Sequence, residues 1–131
     1  MNNLEKKSNK RAFTLIELIV VIAILGVLAA ILVPTMSNLI GNAREQTAVA
    51  NARTIYSIAS AEAAFRLASN DPVADSSDEV SYTSADTTGF GYDVAQQAGQ
   101  FDGTFTITVD NNVVTKVEYT EGGVTGTYPT T

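Results

Sequence analysis

The chain has 131 residues, a formal net charge of −6, no cysteine and no histidine. That length suits one domain with an appendage. Missing cysteine excludes a disulfide framework and a thiolate metal site, and missing histidine removes the commonest general base and metal ligand, so neither an enzyme nor a cofactor is expected.

Charge is laid out in blocks along the chain. Residues 1–12 carry Lys6, Lys7, Lys10 and Arg11 against Glu5. From Phe13 to Val33 the only charge is Glu17. Apolar residues there occupy every helical face, and a helix of that length covers about 30 Å, the thickness of a hydrocarbon core. The basic flank predicts a cytoplasmic N-terminus, with residues 35–131 on the far side of the membrane. A removable secretory signal is the competing reading. Val27-Leu28-Ala29 could serve as its cleavage site, but the apolar run continues to Val33 and holds a carboxylate near its start.

A carboxylate at mid-membrane costs about 3 kcal/mol. Glu17 instead falls near the start of the predicted helix, where the helix dipole favours an anion. Cutting the chain before Phe13 would add a positive α-amino group at that end, which suggests an ion pair within or between chains. Gly26 is a weak point by helix propensity, or a small residue that allows close helix packing. Pro34 lacks an N–H and is expected to kink a helix that continues beyond it.

The stretch AFTLIELIVVIAILGVLAAILVP, residues 12–34, behind a short basic leader, closely resembles the N-terminus of type IV prepilins and their pseudopilin relatives. The resemblance is strong over Lys6–Pro34 and looser to about Leu67. It implies cleavage between Ala12 and Phe13 by a prepilin peptidase, which also methylates the new amine of Phe13. It implies that Glu17 pairs with the Phe13 amine of a neighbouring subunit, and that Gly26 and Pro34 bracket a stretch of helix able to loosen in a filament. The leader ends in Ala12, where most of these leaders end in Gly. The layout implied is a leader (1–12), an apolar membrane and filament-core helix (13–34), its amphipathic continuation (35–68) and an acidic head (69–131). The function implied is a structural subunit that associates with itself into a helical extracellular filament. Its partners are the membrane, the peptidase and the pilus assembly machinery. Alternatives are a pseudopilin of a secretion or DNA-uptake system, or a minor pilin. A membrane precursor followed by a surface pilus is the localisation implied.

Residues 35–68 are alanine-rich and free of proline, and read as helix. Met36, Leu39, Ile40, Ala43 and Ala50 mark one apolar stripe. Ala48, Ala52, Ile55, Tyr56, Ala59 and Ala63 mark another. Ser69–Glu79 reads as a helix stop and a polar loop, whose acids do not fit a calcium loop. TTGFGYD reads as a Gly-rich turn without the lysine of a phosphate loop. Alternation places strands at Thr104–Asp110 and Val113–Thr120, with weaker ones at GVTGTYP and EVSYTS. A three-residue loop, through Asp110-Asn111-Asn112 or one residue later, is predicted to bring apolar opposite apolar, with Val113, Val117 and Tyr119 on one face. The fold class is α+β: a long N-terminal helix packed on a small antiparallel sheet. Outside the leader only Arg44, Arg53, Arg66 and Lys116 are basic, so direct nucleic-acid binding is not expected.

Overall fold

The computed structural model describes residues 12–74, 79–99 and 101–130. Two compact units divide the chain, one ending at Leu39 and one beginning at Ile40. Helix α1, Leu15–Ala68, contributes its first half to one and its second half to the other. The predicted α+β class holds: four strands, β1 (Val80–Thr83), β2 (Thr104–Asp110), β3 (Val113–Glu121) and β4 (Val124–Tyr128), form an antiparallel meander in that order.

In the first unit, α1 is helical through both Gly26 and Pro34. Pro34 cannot donate to the Ala30 carbonyl. Around it, Thr35 Oγ1 donates to the Ile31 carbonyl (2.6 Å) and Ser37 Oγ to the Val33 carbonyl (3.1 Å). Such back-bonding to the preceding turn is associated with bent helices.

In the second unit, the stripe Ala48, Ala52, Ile55, Ala59 and Ala63 is the core face of α1, while Ile40 and Ala43 of the other stripe stay exposed. Four of those five side chains are single methyl groups, so helix and sheet can approach closely. Gly126 of β4 (Val124–Tyr128) marks one close approach. A Cβ added there would fall within 3.0 Å of the Ala48 carbonyl group and the Val49 nitrogen. The strand is held further by Tyr128, which packs edge-on against Tyr56 (5.1 Å) with Arg53 over its ring (5.7 Å).

The helix ends at a Schellman turn. Asp71 N–H donates to the Arg66 carbonyl (2.9 Å) and Asn70 N–H to the Leu67 carbonyl (3.2 Å), with Asn70 in the left-handed region at φ 59°. The Arg66 side chain then gathers Glu62, Asp71 and Asp93. Burial of the guanidinium works against its charge, but the hydrogen bonds to Asp93 and Glu62 outweigh this and raise its pKa above the ordinary arginine value.

Two expectations need correction. GFGYDVAQQA is a helix, α2 (Gly89–Ala98), where the sequence predicts a turn. Its two glycines lower helix propensity, but Phe90, Val94 and Ala98 recur at helical spacing and are buried. Tyr82 of β1 (Val80–Thr83) packs edge-on against Phe90, and Arg66 binds Asp93 of the same helix. Burial and the ion pair override the local weakness.

The second correction concerns the β2–β3 hairpin. β2 (Thr104–Asp110) and β3 (Val113–Glu121) are joined by two residues, Asn111 and Asn112, both at positive φ (49° and 65°). That is the primed turn that suits strand twist. Apolar alignment comes instead from a bulge. Asp110 pairs with Val113 and Val109 with Val114, then the register shifts so that Thr108 faces Lys116 and Ile107 faces Val117. Thr115 is the extra residue, and its hydroxyl donates to the Thr108 carbonyl (3.2 Å). The bulge also swaps faces: Val114 joins Val117 and Tyr119 in the core, and Val113 points out.

Candidate functional site

The residues singled out from the sequence lie at the start of α1. Ala12 and Phe13 precede the helix and are exposed, Phe13 at 88%. Lys6, Lys7, Lys10 and Arg11 lie outside the described residues. Thr14 and Glu17 form a capping box. Thr14 N–H donates to Glu17 Oε2 (3.2 Å), Glu17 N–H donates to Thr14 Oγ1 (3.3 Å), and Leu18 N–H donates to the Thr14 carbonyl (3.2 Å). Two orphan amides of the first turn are thereby satisfied, and the carboxylate sits at the positive end of the helix dipole.

Glu17 thus has a partner in its own helix end, and the T-x-x-E spacing in "TLIE" is the sequence signal for it. A capping box is a hydrogen-bonding device, worth about 0.5–2 kcal/mol, and glutamine can replace glutamate in it. A negative charge is therefore more than the cap requires. The carboxylate is exposed and available to a cation that arrives near Phe13.

Beyond Glu17 the segment has no polar side chain before Thr35. All of its side chains are exposed, and large apolar ones such as Ile16, Ile22, Leu25 and Leu32 take no part in the core. The segment is long and apolar enough to cross a membrane. Among the described residues Gly26 has no neighbour within 4 Å of where a Cβ would stand, so none of them demands a glycine there. Among the described residues no cluster of acids is arranged to hold a metal.

The head adds features that sequence reasoning does not single out. Tyr119 is fully buried, and its hydroxyl accepts from Gly103 N–H (3.0 Å) and donates to Glu121 Oε2 (2.8 Å). Burial pushes this phenol above its ordinary pKa, and donation to Glu121 adds to the shift. An open cavity of about 450 Å³ lies beside Glu121, lined on α1 by Ile40, Ala43 and Arg44. Periodicity alone cannot show it, because the lining comes from elements far apart in sequence.

The family model of the prokaryotic N-terminal methylation motif covers residues 7–33, which is the stretch holding the capping box and most of the exposed apolar run. No curated protein and no solved structure matches the chain.

Proposed function

We propose, from a chain that carries the prokaryotic N-terminal methylation motif, a type IV pilin: a structural subunit that polymerises into an extracellular pilus. The precursor sits in the cytoplasmic membrane through residues 13–34, with its basic leader inside. A prepilin peptidase cuts between Ala12 and Phe13 and methylates the new amine. Subunits then leave the bilayer as their apolar helices pack against one another, and the acidic heads cover the filament.

The observation that carries this reading is that the methylation motif coincides with a stretch of α1, residues 15–33, whose apolar side chains are all uncovered. At about 25 cal/mol per Å², that surface must lie in lipid or against other copies. Exchanging lipid for helix neighbours costs little, so anchor and assembly surface can be the same residues. Glu17 would then exchange the helix cap for the Phe13 ammonium of a neighbour. A buried ion pair of this kind fixes register more than it adds stability.

Shearing the cells and sequencing the main protein of the released filaments tests this reading. A major pilin predicts long filaments composed chiefly of this chain. Its presence only as a trace component marks a minor pilin, and its retention in a short periplasmic fibre marks a pseudopilin.

A further inference from the structure

The head has a hollow at one end and a projection at the other. The hollow is the 450 Å³ cavity formed by Ile40, Ala43, Arg44, Thr47 and Ala48 of α1 with the turn after β3. The projection is the β2–β3 turn, where Val113 is 61% exposed. Among the described residues, Val113 is the one large apolar side chain of the sheet left exposed. It stands beside Asp110, also exposed. The turn is firm: Asn112 Oδ1 accepts from Ala74 N–H (3.1 Å), which ties it to the chain that follows α1. Projection and hollow lie at the two ends of β3, which begins at Val113 and ends at Glu121, about 26 Å apart at the usual rise per residue.

Charge fits the same pairing. Arg44 in the hollow and Asp110 on the projection have no ion pair among the described residues. The hollow's other charge, Glu121, already accepts from Tyr119 (2.8 Å). It repels an acid on its own side and so orients an incoming turn with Asp110 towards Arg44.

We propose that the β2–β3 turn of a second copy docks in this hollow, with Val113 against Ile40 and Ala43 and Asp110 on Arg44. The two surfaces are different and lie at opposite ends of the head, so the contact is heterologous. Repetition of such a contact gives an open chain of copies rather than a closed dimer. The inference rests on the pilin reading and adds to it a head-to-head contact that sets spacing along the filament.

The chain's lack of cysteine makes the test clean. Full-length Ala43→Cys/Val113→Cys is expressed in the native cells. Sheared filaments are treated with oxidant or a short bis-maleimide and run on a denaturing gel. The expected result is a ladder of dimers, trimers and higher species, with each single variant staying monomeric because unlike surfaces meet. Filaments of the double variant that remain monomeric overturn the docking and leave the pilin reading intact. Crosslinking of Ala43→Cys to Leu32→Cys overturns it equally, because the apolar segment of a neighbour then covers the hollow. If the paired cysteines block assembly, charge exchange decides. Arg44→Asp and Asp110→Arg should each lower filament yield several-fold, and their combination should recover it. Unaffected single variants, or no recovery in the pair, overturn the proposal. Unsubstituted cells without filaments refute the pilin reading itself.

Discussion

Glu17→Ala is expected to leave the precursor in the membrane and to remove surface filaments. The observed helix cap and the proposed assembly contact are separable. In the isolated chain the carboxylate caps the first turn through Thr14, and losing a cap costs about 0.5–2 kcal/mol. In the proposed filament it also meets the Phe13 ammonium in a place without water. Breaking such a pair from one side leaves a buried unpaired charge, at about 3–5 kcal/mol per subunit. That is on the order of a hundredfold or more in the equilibrium constant for adding a subunit. Glu17→Gln separates the two. Glutamine keeps the acceptor that the capping box needs and lacks the charge. Counting filaments by electron microscopy, with the precursor followed by immunoblot of membranes, should show both variants inserted and neither assembled. Normal assembly of the glutamine variant would reduce Glu17 to a helix cap.

Gly126→Val should be the most damaging single change in the head. A side chain there meets backbone atoms of Ala48 and Val49, which cannot rotate away. Either β4 separates from α1 or the sheet shifts, and overpacking of this severity costs about 3 kcal/mol or more. A small head without a disulfide has little stability in reserve. Gly41→Ala is the matched control. It lies in α1 with no described residue within 4 Å of its added Cβ, so it should be neutral or slightly stabilising. Thermal unfolding of full-length protein in detergent, followed by near-ultraviolet circular dichroism, should show a clear loss for Gly126→Val and none for Gly41→Ala. Equal midpoints for the two would show that the contact at β4 is not limiting.

Regular periodicity is readable from the sequence, and departures from it are not. The period-2 alternation in TFTITVD gives β2 with its observed ends, and the stripe from Ala48 to Ala63 gives the buried face of α1. The hairpin loop escapes such a reading because a bulge in the strand and a longer loop produce the same apolar pairing. Only the Thr115 bulge also turns Val113 outward. In α2, Gly89 and Gly91 outweigh the Phe90-Val94-Ala98 spacing when the sequence is read locally, whereas tertiary burial decides the matter. At the N-terminus the motif residues are legible. The Thr14–Glu17 box has its signal there as well, in the T-x-x-E spacing that sets its two reciprocal hydrogen bonds. The hollow beside Arg44 depends on where the β3–β4 turn falls against α1, which no local pattern encodes.

The most direct measurement is mass spectrometry of the N-terminal peptide from the mature protein. The pilin reading predicts a chain that begins at Phe13 and carries an N-methyl group. An intact Met1, or a first residue near Ile31 as a secretory signal would leave, contradicts it.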